Sequence, residues 1–261
     1  MTVISMTTDF GAGDHEVGVM RGVIYRIAPQ AKLADLSHDI PPQDILEGAL
    51  ILSQVAPYFP PGTVHLAVVD PGVGTARRPI AGRVGDSFFV GPDNGLFSLL
   101  WELAEEQRKP IEVFHLDNPD YWLPVVSRVF HGRDIFAPVA AHLANGVALE
   151  AIGKAITDPV RIVVPKPTKT NHGWQAEVIS VDAFGTLNLN LRADQLTGNR
   201  VTALINGKKI TDFVKTFGER PAGTAVLMID SSGWLSIAIV NGSAAARLGA
   251  KNRTPVEIVC E

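Results

Sequence analysis

Four short segments carry residue types that could do chemistry. Three of them close an apolar run with acids, glycines and turn formers: Thr7-Thr8-Asp9-Phe10-Gly11, Val69-Asp70-Pro71-Gly72-Val73-Gly74 and Val90-Gly91-Pro92-Asp93-Asn94-Gly95. The fourth, Phe130-His131-Gly132-Arg133-Asp134, sets a histidine directly before a helical pattern, where the helix start favours a neutral imidazole. Arg77 follows Asp70 by seven positions on the glycine loop. Each segment has an ordinary reading as well. Asp and Asn cap helices, Gly and Pro turn the chain, and a lone histidine or arginine can simply face water. Their recurrence at one edge of one sheet points to a ligand site, because open parallel sheets bind ligands outside the carboxyl ends of their strands.

Several chemistries are excluded or disfavoured. Gly11-Ala12-Gly13 lacks the third glycine of a dinucleotide fingerprint, since Glu16 stands there, and Asp14 would repel a pyrophosphate. The chain has no phosphate loop of the G-x-x-x-x-G-K-[ST] type and no G-x-S-x-G elbow. Its single cysteine, Cys260, removes internal disulfides and thiolate zinc sites. Asp9, Asp14, His15, Asp70 and His131 could in principle form an oxygen and nitrogen metal site, but no helical histidine pair or close chelate spacing supports it. The expectation is therefore no metal and no cofactor.

Such residues need a sheet to position them. Val3–Thr8, Lys32–Ser37 and 63–69 read as strands, separated by a helix over 16–28 and a helix capped by Asp44. A hairpin over Pro79–Val84 and 87–90, a helix over 96–107, a strand over 112–116 and a helix over 133–143 follow. Apolar strands alternating with helices predict an α/β domain with a mainly parallel sheet, placed at 1–158. Residues 159–173, with three prolines and no helical period, read as a linker. Beyond it, 175–181, 186–191, Val201–Ile205, Ala225–Ile229, 235–240 and 256–259 read as short strands, with Asn206-Gly207 as a tight hairpin turn. A smaller all-β domain is thus expected at 174–261.

The 261 residues are 46% hydrophobic and 19% charged, with 23 Lys+Arg against 27 Asp+Glu and no basic run. That composition fits a soluble globular protein and argues against nucleic acid. No apolar stretch approaches ~20 residues, and the first ten residues lack a basic leader. The expectation is a cytoplasmic protein with no membrane partner.

Taken together, Thr8-Asp9-Phe10-Gly11, His38-Asp39-Ile40-Pro41-Pro42, Val69-Asp70-Pro71-Gly72-Val73-Gly74, Gly91-Pro92-Asp93-Asn94-Gly95, Phe130-His131-Gly132-Arg133-Asp134, Asp182-Ala183-Phe184-Gly185 and Asn241-Gly242-Ser243-Ala244-Ala245 resemble the S-adenosyl-L-methionine (SAM) hydroxide adenosyltransferases. These SAM hydrolases are related to the SAM-dependent fluorinase and chlorinase. The resemblance implies an α/β N-terminal domain, a barrel-like C-terminal domain, and hydrolysis of SAM to adenosine and L-methionine by water or hydroxide attack at ribose C5′. It maps the set that positions the nucleophile onto Asp70, Arg77 and His131. It further implies that Asp9 takes the ribose diol and that Asp14 and Asp182 meet the methionine ammonium. Ser231 would meet the methionine carboxylate, and Phe184 with Asn241 the adenine. It also implies a homotrimer with sites shared between subunits.

Two other readings stay open. A halide could attack the same carbon, although Gly132 stands where the halogenating branch has a serine. A bare Asp70 would also repel a halide ~4 Å away by ~4 kcal/mol at an effective dielectric near 20. A non-catalytic SAM or adenosine binder would keep Asp9, Asp182 and Phe184 but have no use for Asp70, Arg77 and His131 together.

Overall fold

Central strands buried on both faces run through the first of two units, Met1–Val163, in the computed structural model, which describes residues 2–198 and 200–261; the second unit is Val164–Glu261. The first unit contains β1 (Val3–Thr8), α1 (His15–Ile27), β2 (Lys32–Ser37), α2 (Ile45–Val55), β3 (Val64–Val68), β4 (Pro79–Val84), β5 (Ser87–Pro92) and α3 (Ser98–Glu106). After these come β6 (Ile111–His115), α4 (Ala137–Ala144), α5 (Leu149–Ile152) and β7 (Lys154–Ile156). The sheet order is β2-β1-β3-β5-β4-β6-β7. Strands β2, β1, β3 and β5 pair in parallel, while β4, β6 and β7 add antiparallel pairings at the other end. The sheet is mixed, with its parallel part holding the N-terminal motifs.

Side-chain alternation sorts two cores. Val64, Leu66 and Val68 of β3 pack with α1 and α4 residues such as Met20, Ile24 and Ala140. Ala67 and Val69 face the other way, onto Leu52 of α2 and Leu96, Leu100 and Trp101 at α3. Helices therefore cover both faces, which explains why these strands read as unbroken apolar runs.

The connection from β1 runs through α1 to β2 on one side, whereas β3 leads through the β4–β5 hairpin to the other. The carboxyl ends of β1 and β3 are thus a topological switch point, where such sheets open a crevice. Thr8 is paired with Val68 there, so Asp9 and Asp70 leave neighbouring strand ends.

The helix expected over 133–143 differs at its start. Gly132–Phe136 forms a π-helical turn before α4, with Ala137 N donating to Gly132 O. Pro138 has no N–H to return to the Asp134 carbonyl, and that carbonyl instead accepts from Leu123 N at 2.8 Å. The helix is widened where the sequence periodicity alone reads an ordinary turn.

The second unit contains β8 (Thr168–Thr170), β9 (Gly173–Val181), β10 (Leu187–Arg192), β11 (Val201–Ile205), β12 (Lys208–Ile210), β13 (Ala225–Ile229), β14 (Trp234–Ile239), α6 (Ala244–Leu248) and β15 (Pro255–Cys260). Its order, β12-β11-β15-β9-β10-β14-β13, is antiparallel throughout and barrel-like, with β8 on β9. Asn206 and Gly207, both at positive φ, close the β11–β12 hairpin.

Residues 159–173 are not a plain linker. Val160 N donates to Asp93 Oδ1 and Ile162 N to Ser98 Oγ, holding that stretch on the first unit. Thr168–Thr170 is strand β8 of the second. Backbone pairing of this kind leaves no periodic side-chain signal in a proline-rich stretch.

Candidate active site

After β3 the chain loops back on itself. Thr75 Oγ donates to Gly72 O at 2.6 Å and accepts from Arg77 N at 3.3 Å, which returns Arg77 to the strand end it left. Gly74, at φ +74°, is required here: a Cβ would sit 2.1 Å from the Arg128 carbonyl oxygen. The loop is thereby pressed against the segment that leads to His131.

Asp70, Arg77 and His131 come into direct contact. Arg77 Nε donates to Asp70 Oδ1 at 3.0 Å, and its Nη2 donates to Asp70 Oδ2 and, at 3.1 Å, to His131 Nδ1. The two charged side chains are 5% and 7% exposed, so the ion pair is shielded from solvent and held by a bidentate fork. The guanidinium lies over the buried Phe136 ring, 5.2 Å from its centroid. The π-helical turn thus supplies the ring behind the arginine, and the residue that opens it supplies the imidazole.

Arginine has only donors, so the contact requires a bare Nδ1 and places the imidazole proton on Nε2. Burial first, and the Arg77 charge second, lower the His131 pKa, against the opposing pull of Asp70 and Asp134. The neutral imidazole expected from a helix start is therefore favoured by different causes. Asp134 is buried and takes Arg133 Nε at 2.6 Å and Ser127 N at 2.8 Å, clamping the loop that leads to His131. Phe130 meets Phe10 edge to face at 5.9 Å, which brings the loop of Asp9 beside that of His131.

Asp9 Oδ2 accepts from Gln43 N at 2.8 Å. Asp14 is exposed and caps α1, accepting from His15 N at 2.6 Å. Asp93 and Asn94, at the same edge, have framework roles: Asp93 takes Arg78 Nε and Val160 N, and Asn94 donates to Val69 O. Of the metal candidates, the fold gathers Asp14 and His15, both exposed, with the half-buried Glu16; among the described residues only this trio brings three ligand atoms within 4.8 Å of one another. The Arg77 guanidinium stands between Asp70 and His131 and contacts both.

In the second unit, Asp182 Oδ1 accepts from Phe184 N and Thr186 N, shaping a turn that leaves Phe184 82% exposed. Gly185 packs on Ser243, where a Cβ would meet Ser243 Oγ at 2.0 Å, and Ala245 N donates to Gly185 O. Asp182, Phe184 and Asn241 therefore share one end of the β10–β14 pair. Ser231 does not join them. Its turn precedes Trp234 at the start of β14, opposite Arg192, whereas Leu187 pairs with Ile237 at the other end.

Two features escaped the sequence reading. Gln43 and Phe136 touch the key residues, yet one sits in a proline turn and the other in an apolar run, so neither carries a polar motif. Coulomb repulsion of a halide is weaker than the sequence alone implies. Asp70 is neutralised by Arg77 and does not present a bare charge; what remains is space, since a Cβ at Gly132 would lie 3.2 Å from Met20 Sδ, 3.3 Å from Phe130 Cε2 and 3.5 Å from Phe10 Cζ.

Fold and site define a two-unit enzyme with an aspartate–arginine–histidine contact at the switch point of an α/β sheet. Residues 4–153 match the SAM hydroxide adenosyltransferase N-terminal domain and 176–257 its C-terminal domain, and the chain belongs to this family. It is 41% identical over 248 residues to the (R)-S-adenosyl-L-methionine hydrolase of Salinispora arenicola, covering 93% of this chain and 92% of that one. A fluorinase of Actinoplanes sp. is 28% identical over 90% of both chains. The solved structure of an uncharacterized conserved protein from Thermotoga maritima superposes with a TM-score of 0.88 at 35% identity, covering 98% and 99% of the two chains.

Proposed function

We propose that this chain hydrolyses S-adenosyl-L-methionine, in the (R) form named for its Salinispora relative, to adenosine and L-methionine. The observation that carries the reading is the buried contact of Asp70 and His131 through Arg77 at the switch point. The sulfonium leaves as a neutral thioether, so no acid is needed as the C5′–S electron pair returns to sulfur. The difficulty lies in the nucleophile. As the water oxygen bonds to C5′ its protons become acidic, and an ordinary carboxylate suffices to take one. Asp70 is assigned that role, since each carboxylate oxygen keeps a lone pair beyond its bond to Arg77. His131, with Nδ1 occupied, acts as an Nε2–H donor to the water oxygen. Arg77 Nη1, buried and without a partner among the described residues, is a second donor. Fixing one attack geometry is worth ~7–11 kcal/mol of barrier.

The remaining assignments follow the resemblance: Asp9 on the ribose diol, Asp14 and Asp182 on the ammonium, Phe184 and Asn241 on the adenine. Ammonium and carboxylate sit on one carbon, and Ser231 stands at the opposite end of β14 from Asp182, so Ser231 can take the carboxylate only from a different subunit than the Asp182 on the ammonium. We read the working unit as a homotrimer with shared sites, because the exposed Phe184 and Asp182 belong to the second unit. Mixed trimers of Asp70→Ala and Phe184→Ala subunits regain activity on that reading and stay inactive otherwise. A reducing cytoplasm suits the single free cysteine, and among the described residues no helix is long and apolar enough to cross a membrane. The reaction is assigned without metal or cofactor; activity that is lost on chelation and restored by a divalent ion refutes this. In oxygen-18 water the label is expected in adenosine. Halogenated adenosine in chloride buffer, methylthioadenosine, or stoichiometric binding without turnover each overturn the proposal.

A further inference from the structure

Gln43 combines an unusual backbone with a contact to Asp9. Residues 41–44 form a turn in which Asp44 N donates to Pro41 O at 3.0 Å, with Pro42 second and Gln43 third at φ +67°. A positive φ at the third position marks a type II turn, which favours proline second but glycine or asparagine third. Glutamine holds that conformation only under strain. The turn type has a consequence for direction. Relative to a type I turn, the central Pro42–Gln43 peptide is flipped, and its N–H faces the opposite side. That N–H is the donor to Asp9 Oδ2.

The neighbouring contacts keep the two loops in register. Gly11 N donates to His38 O at 2.7 Å, Ala12 N donates to Asp39 Oδ1 at 3.1 Å, and Thr8 Oγ lies 2.9 Å from His38 Nδ1. The loop after β1 is therefore tied on both flanks of Asp9, and the Gln43 N–H is the contact that sets the rotation of its carboxylate. With Oδ2 engaged by one donor, Oδ1 and a further lone pair of Oδ2 remain free to accept.

We propose that Gln43 is a positioning residue whose strained backbone N–H orients the Asp9 carboxylate to accept from the two hydroxyls of a vicinal diol. The inference rests on the reading of Asp9 as the ribose contact. The side chain of Gln43 is not required; its φ and its N–H are.

Three variants of the full chain separate these parts. Gln43→Gly keeps the N–H, relieves the strain and removes the side chain. Gln43→Asn tolerates the conformation, while Gln43→Val keeps the N–H but resists positive φ. Binding of adenosine and of 2′,3′-dideoxyadenosine is measured by calorimetry, with thermal melts to verify folding. The wild type is expected to prefer adenosine by about tenfold or more, as for loss of a hydrogen bond to a charged group. Gln43→Gly and Gln43→Asn keep that preference within about twofold; Gln43→Val reduces it to about threefold or less with dideoxyadenosine affinity unchanged. A merely structural role would weaken both ligands alike. Should Gln43→Val fail to fold, Gln43→Thr, which is β-branched and resists positive φ for the same reason, replaces it with the same expectation in direction. Full preference in the valine or threonine variant, or its loss in the glycine variant, overturns the proposal. If Asp9→Ala leaves the preference intact, the ribose reading itself fails, a result distinct from failure at Gln43.

Discussion

Replacing Arg77 by alanine tests the centre of the site. The substitution removes both donors to Asp70, the donor to His131 Nδ1 and the group stacked on Phe136. Asp70 is then a carboxylate, only 5% exposed, without its cation. Breaking one side of a buried pair typically costs ~3–5 kcal/mol, because the remaining charge is uncompensated. Asp70→Asn leaves Arg77 in the converse position. The double variant leaves no stranded charge, so its destabilisation should fall short of the sum of the singles by ~3 kcal/mol. Urea denaturation of the four proteins at neutral pH measures this. A second readout is independent of stability. Arg77 is one of the two causes lowering the His131 pKa, and Asp70 opposes it, so in Arg77→Ala the imidazole should titrate at higher pH by NMR. Energies additive to within ~0.5 kcal/mol, or a His131 midpoint that stays put or falls, would refute the account of the site as one electrostatic unit. Hydrolysis of SAM should be largely lost in both singles and in the double.

Further outcomes follow from buried groups elsewhere. His65 is pushed down to about 4 by burial; the unfolded chain therefore binds the proton more tightly, and stability is lost as pH falls from about 6.5 through 4. The full loss is ~3 kcal/mol; a His65→Asn variant whose acid slope matches that of the wild type would contradict it. Glu47 is raised to about 7, by burial first and Asp44 second, which reverses the sign: its contribution is complete below about 4.5 and is lost as pH rises through 7. Because water partly reaches this side chain, the swing should be ~2 kcal/mol. Glu47→Gln should gain on the wild type above pH 7 and not at pH 4.5, as melts at the two values would show. Gly74→Ala, which drives a methyl into the Arg128 carbonyl at positive φ, should cost ~2 kcal/mol or more and slow hydrolysis; an unaltered melting temperature argues against the close approach.

Hydrophobic patterning and turn chemistry determined much of this protein by themselves. The unbroken apolar runs of β1 and β3 announced strands covered on both faces, and Asn206-Gly207 announced a hairpin, because burial and φ act on residues close in sequence. The polar strand ends likewise placed Asp9 and Asp70 at one edge. Tertiary structure alone decided how those residues are used. That Arg77 neutralises Asp70 and bares Nδ1 of His131 depends on contacts spanning 7 and 54 positions. The widened turn before α4, the structured stretch 159–173, the place of Ser231 away from Asp182, and the Gln43 N–H on Asp9 are further results of packing and backbone pairing. Hydrogen bonds and ion pairs depend on position to fractions of an ångström, and such positions exist only once distant segments have met.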